Sequence, residues 1–135
     1  MFPLFAGLSD EQIESYGATC RWREYKSGEM IIDHNDKTND VRFIASGEVR
    51  VVVRMVEGRE VIFNDFGAGR HFGELSAIDG QTRSANVTSL TNARICIMPA
   101  ATFKSLVTEV PDIGWTIMQD LAALVRSLSD RLSEF

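Results

Sequence analysis

Apolar residues along this chain repeat with two different periods, and the change of period divides it into three stretches. At the start, Ser9 with Gln12 three residues on has the form of a capping box, and Leu8 and Ile13 flank it as a hydrophobic staple. This predicts a helix over about 10–18, within an N-terminal entry of residues 1–20. From residue 21 to 99 the apolar runs become short and β-type: 21–25, 30–33, 41–45, 48–55, 59–65, 84–89 and 93–98. Turn signals such as Lys26-Ser27-Gly28, Ser46-Gly47, Glu57-Gly58 and Asp79-Gly80 separate them. Val49, Val51 and Val53 alternate with Arg50, Val52 and Arg54, which predicts one core face and one partly wet face. Residues 100–135 return to the helical period. A short helix suits 99–107, and Pro111 with Asp112 opens a longer one, proline near its first position and acid in its first turn. Ile117, Leu121, Leu124, Leu128 and Phe135 recur at alternating four- and three-residue steps, with Arg131 in the one polar slot. Such a heptad seam fits dimerisation. A stripe packed on the domain's own barrel reads the same way, and the two uses are compatible.

Many short strands with regular punctuation, bracketed by helices, predict one mainly β domain over 1–135. The expected fold is an antiparallel β-roll or jelly-roll barrel over 21–99, with an N-terminal helix and C-terminal helices over 100–135. Composition agrees: 44% hydrophobic and 24% charged residues are ordinary for a globular domain. The net charge of −5 comes with no Lys/Arg-rich run, so direct nucleic-acid binding by this chain is not expected. No apolar run approaches a membrane span, and Met1-Phe2-Pro3-Leu4-Phe5 lacks the form of a secretory signal, so a cytoplasmic location is expected. Cys20 and Cys96 have no metal-ligand spacing; free thiols are the default expectation, with a disulfide left open. His34 and His71 form no metal triad, and no nucleophile, triphosphate-loop or paired-carboxylate motif is present, so no enzyme chemistry is expected. A metal-binding cupin-like enzyme, the one catalytic reading this architecture invites, lacks its paired histidines.

One stretch carries chemistry. Phe72-Gly73-Glu74-Leu75-Ser76-Ala77 is followed by Arg83-Ser84-Ala85-Asn86-Val87-Thr88-Ser89. A glycine lets backbone approach a ligand, a glutamate accepts from sugar hydroxyls, small residues leave amides open to an anion, and an arginine clamps phosphate oxygens. In an acidic chain such a local cation is informative, and Arg70 could add to it.

This segment, residues 72–89, resembles the phosphate-binding cassette of cyclic-nucleotide-binding domains. Ala77 departs from the pattern, standing where a larger aliphatic residue is usual, which would loosen the packing under the cassette. The order helix, barrel, helices resembles that family from end to end, and Leu4–Ser9 resembles the entry of its bacterial regulators. A second family feature is weaker. In Ile31-Ile32-Asp33-His34-Asn35-Asp36-Lys37-Thr38, Asn35 replaces the usual glycine at a turn expected to need positive φ. In the next run Arg42 interrupts the apolar residues, and an outward face is expected for it.

The resemblance implies roles. Arg83 would bind the cyclic phosphate, with the amides of Ser76, Ser84 and Ala85 as further donors. Glu74 would accept the ribose 2′-hydroxyl proton, Gly73 would allow backbone approach, and Leu75 lies between them in the cassette. Val51 and Phe63 would form an apolar wall beside the purine, and Ser129 on the last helix would cap the base. The ligand would be cAMP or cGMP, which Ser84 does not decide, with no other cofactor. The flanking sequence leans towards cAMP. The implied function is a regulatory sensor that moves its C-terminal helix and an attached output, a transcription regulator foremost, with a homodimer through that helix. A channel, cyclase or kinase output, or an interaction module that has lost its ligand, are the alternatives. The chain stops at Phe135 without a helix-turn-helix segment, as expected of a fragment or a stand-alone module.

Overall fold

The long middle of the chain is built by antiparallel pairing. A computed structural model describes residues 2–133. After a 3-10 turn at Pro3–Phe5 comes helix α1 (Asp10–Gly17). The capping box is made in both directions: the Ser9 hydroxyl accepts from the Gln12 amide at 3.1 Å, and the Gln12 side chain accepts from the Ser9 amide at 2.9 Å. The strands are β1 (Arg21–Tyr25), β2 (Met30–Ile32), β3 (Val41–Ser46), β4 (Val49–Arg54), β5 (Glu60–Phe66), β6 (His71–Phe72), β7 (Ala85–Ser89) and β8 (Ala93–Met98). Helix α2 (Glu74–Asp79) lies between β6 and β7, and α3 (Ala100–Glu109) and α4 (Pro111–Ser133) follow the last strand. Two four-stranded sheets result, ordered β1-β8-β3-β6 and β2-β7-β4-β5. The fold is the expected antiparallel roll with flanking helices.

Two clusters fill it. Ile44, Ile95 and Ile97 of the first sheet meet Val49, Val51 and Val87 of the second, with Tyr25 and Phe72, inside the roll. Their strand neighbours Val41, Phe43, Cys96 and Met98 point the other way, onto Phe103, Leu106, Ile113 and Ile117 of α3 and α4. Strands β3 and β8 are therefore buried on both faces. Ala77 of α2 packs against the second cluster. Cys20 and Cys96 are free thiols, Cys96 buried. A hydrogen bond between the two, and then burial, push the Cys96 thiol up.

That double burial corrects the expectation for Arg42. It shares the inward side of β3 with Ile44 and is only 5% exposed, because the strand has no wet face to offer. Its charge is met inside, by Asp40 and the Tyr25 hydroxyl. Asn35 does adopt the positive φ, 69°, that its turn requires.

Helix α4 sorts the heptad seam differently from a simple dimer stripe. Ile117 is buried in the helix-side cluster, Leu121 packs against it, and Leu124 and Leu128 turn towards a cavity of the same domain. The seam thus serves the domain itself; Phe135 lies outside the described residues. A second row, Trp115, Met118, Val125 and Leu132, is more than half exposed along another face of the helix.

Candidate functional site

The second sheet, the segment 70–85 and α4 enclose a cavity of about 620 Å³. Small-molecule sites span roughly 300–1,000 Å³, so a nucleotide-sized ligand fits.

One side is the sheet. Val51 of β4 and Phe63 of β5 both line the cavity. In the β4–β5 ladder Val51 pairs with Asn64 and Val52 with Ile62, so Phe63 is the extra residue of a bulge. A bulge re-aims side chains, and here two consecutive residues, Phe63 and Asn64, reach the same space.

The floor is charged. Gly73, in the left-handed region at φ 88°, is the N-cap of α2 and has no side chain to cap it. The first-turn amides of α2, those of Glu74, Leu75 and Ser76, have no partner within a helix, and all three residues line the cavity. Arg83 lies beneath them, 4% exposed. Its Nη1 donates to the Gly73 carbonyl at 2.9 Å, and its Nη2 donates to the Asp40 carbonyl at 2.8 Å and to Asp40 Oδ1 at 3.0 Å. Its Nε donates to the Thr38 hydroxyl at 3.3 Å. The Arg83 backbone is tied to the loop before β3, its amide donating to Asp36 and its carbonyl accepting from Asn35. Burial lowers the pKa of the guanidinium and Asp40 opposes that, but an arginine stays cationic. Nearby, the Thr38 backbone amide holds the Asp36 carboxyl below the usual range, with Arg83 and Arg42 adding to the effect.

Four of the five guanidinium donors of Arg83 are thus committed, which leaves one on Nη1. Three of its acceptors, the Thr38 hydroxyl and the Gly73 and Asp40 carbonyls, are uncharged, and an anionic oxygen is the stronger acceptor for a guanidinium donor.

Gly73, Glu74, Leu75, Ser76, Arg83, Ser84 and Ala85 all line this cavity, Ala85 opening β7 and Ser84 just before it. Ser129 does not. The α4 face over the cavity carries Asp120, Leu124, Ser127, Leu128 and Arg131, and the Arg131 guanidinium lies 5.3 Å from the Phe63 ring centroid. Arg70 also borders the cavity, stacked over Phe66 at 4.9 Å. Sequence reasoning missed Thr38, Asp40 and Arg131. Asp40 carried a readable signal, an acid two residues before an arginine in an otherwise apolar strand; Arg131 was read only as a seam position.

Comparison with known proteins decides the family. A family model described as the cyclic nucleotide-binding domain matches residues 22–109. The chain belongs to that family. Glutaminase 1 of Bradyrhizobium diazoefficiens is 35% identical over 130 residues, 96% of this chain but 20% of its own length. The cAMP-activated global transcriptional regulator CRP of Salmonella typhimurium is 26% identical over 125 residues, 92% of this chain and 60% of its own length. Among solved structures, the catabolite activator protein of Thermus thermophilus superposes with a TM-score of 0.84 at 26% identity, covering 97% of this chain and 62% of that one. The chain spans less than two thirds of each of these three. A cyclic nucleotide-binding domain therefore accompanies an enzyme in one relative and a transcription regulator in another, and membership alone names no output. Among the described residues, no helix is long and apolar enough to cross a membrane.

Proposed function

We propose that this chain is a cytoplasmic cyclic-nucleotide sensor without chemistry of its own, binding cAMP or cGMP and passing the event to an output module through α4. The observation that carries the reading is the buried Arg83 cation at the floor of a nucleotide-sized cavity, beside Glu74 and the first-turn amides of α2. A cyclic phosphate would take the remaining Nη1 donor and the amides. Glu74 would accept the ribose 2′-hydroxyl, and the purine would lie between Phe63 with Val51 and the α4 face carrying Leu124 and Leu128. A 2′-deoxy cyclic nucleotide is then expected to bind about tenfold or more weakly, since Glu74 would lose its donor. Equal affinity for parent and deoxy ligand in calorimetry would remove Glu74 from the site.

Helix α4 suits the output role because it touches the cavity on one face and presents the exposed apolar row on another. Trp115, Met118, Val125 and Leu132 stand at steps of three, seven and seven, and Ala122 and Ser129 between them complete the alternating three- and four-residue steps of a coiled-coil seam, so we assign the homodimer to this row. Ser129 stands in register with it, so its base contact would be made across the dimer. A Val125→Arg substitution is expected to shift the protein towards the monomer in analytical ultracentrifugation, with the cavity intact. An unchanged oligomeric state would place the interface elsewhere. Among outputs a transcription regulator is favoured by the likeness to CRP over 92% of this chain.

One observation favours a second reading, an interaction module that does not respond to ligand: four of the five Arg83 donors are already taken by Asp40, Thr38 and Gly73. Calorimetric titration with cAMP and with cGMP separates the two, with Arg83→Ala as control. Micromolar binding lost in the variant supports the sensor. No heat with either nucleotide, from a folded protein, supports the module.

A further inference from the structure

The interior of the roll holds a second cation that lies outside the cavity lining. The Arg42 Nε donates to Asp40 Oδ1 at 2.8 Å, and its Nη1 donates to the Tyr25 hydroxyl at 2.9 Å and to the Ile31 carbonyl at 3.3 Å. Tyr25 is itself 2% exposed, so the far end of Arg42 is held by buried groups. The same Asp40 Oδ1 accepts from Arg83 Nη2 at 3.0 Å. A single carboxylate oxygen is thus shared by two buried guanidinium groups, and the Asp40 side chain is 13% exposed. The next acid, Asp36, is also part-buried, with its Oδ1 taken by the Thr38 amide at 2.8 Å.

This sharing matters when a ligand arrives. An Arg83 that turns its donors towards a phosphate loosens its hold on Asp40. A nearly buried carboxylate left without a partner is costly, and that cost would oppose binding. Arg42, fixed by Tyr25 and Ile31, stays on Asp40 whatever Arg83 does. It also divides the negative charge of Asp40, so more of the Arg83 charge is left for an anion above it.

We propose that Arg42 is a positioning residue for ligand capture, holding the Asp40 carboxylate so that Arg83 can pass donors to an incoming phosphate. This rests on the reading of the cavity as a cyclic-nucleotide site, and the test separates the two. Calorimetric titration with cAMP and cGMP is made on the full chain, on Arg42→Met, Arg42→Lys and Asp40→Asn, and on the double variant Arg42→Met with Asp40→Asn. Melting temperatures are recorded alongside. Arg42→Met is expected to weaken binding about tenfold, Arg42→Lys to stay within about threefold of wild type, and the methionine effect to shrink below about threefold once Asp40 is asparagine. A purely structural role for Arg42 would give the same loss in both Asp40 backgrounds, and that result overturns the proposal. So does wild-type affinity in Arg42→Met. Should Arg42→Met fail to fold, Tyr25→Phe removes only the hydroxyl that holds Nη1; about threefold weaker binding supports the proposal and unchanged affinity overturns it. Wild-type protein that binds neither nucleotide overturns the reading of the cavity, and this inference with it.

Discussion

Arg83→Ala is expected to cost roughly 2–5 kcal/mol of cyclic-nucleotide binding, the range for truncating one partner of a buried, hydrogen-bonded charge pair. That corresponds to a loss of about thirtyfold to several thousandfold in Kd. The upper half of the range is the more reasonable expectation, because the guanidinium is 4% exposed, whereas Arg70 and Arg131, the other arginines of the cavity lining, lie over the Phe66 and Phe63 rings. The fold should survive the change. Asp40 keeps Arg42 as a partner at 2.8 Å, so the truncation leaves no bare buried carboxylate. What it does lose is the bridge from Gly73 to Thr38, and the unfolding free energy should fall by about 1–3 kcal/mol for the groups left unsatisfied. Arg83→Lys is not expected to restore binding, since one ammonium cannot span Thr38, Asp40 and Gly73 as a planar fork does. An affinity loss below about threefold in calorimetry on Arg83→Ala would sink the assignment.

How far such a site can be read without coordinates depends on whether its parts are local. The capping box of Ser9 and Gln12 is a four-residue motif whose partners are set by spacing, and it forms as read. The strands over 21–25 and 93–98 also form with the boundaries read from their patterns, because alternation and turn residues are local signals. The cassette was legible for the same reason. Arg42 was misplaced because the reading assumed a wet outer face for its strand; that β3 carries helices on one side and the second sheet on the other is a tertiary fact. Strand β6 is only two residues long, too short for any period, and is created by its pairing to Arg42 and Phe43. An acid two residues before Arg42 marks Asp40 as an ion-pair partner, but its part in the site depends on Arg83, distant in sequence, meeting it. The α4 stripe was read correctly as apolar and helical, but two apolar rows on one helix cannot be told apart until the domain claims one of them.

The same dependence on tertiary contact makes Gly73 a sharper test than its turn geometry suggests. Gly73 and Gly80 bracket α2, and both lie at positive φ, 88° and 71°. An alanine at either position should carry a similar left-handed penalty, about 1–2 kcal/mol. Their surroundings differ. A Cβ on Gly80 would meet nothing within 4 Å, whereas one on Gly73 would stand 2.8 Å from Arg83 Nη1 and 2.9 Å from the Asp40 carbonyl oxygen. The arginine end can move, but the Asp40 carbonyl is backbone at the entry to β3 and cannot yield without disturbing the loop that holds Arg83. Gly80→Ala is therefore expected to lower stability alone, with Kd within about twofold of wild type. Gly73→Ala should lose about 2–4 kcal/mol of stability through strain and overpacking together. It should also weaken cyclic-nucleotide binding about tenfold or more, because the new methyl pushes Arg83 off the position from which it reaches the phosphate. Comparing the two alanines by calorimetry and thermal melting removes the shared backbone strain from the result. Equal affinities would mean that Arg83 holds its place without Gly73; a gap in Kd larger than the gap in stability explains would locate the glycine's purpose in the space it leaves for the guanidinium.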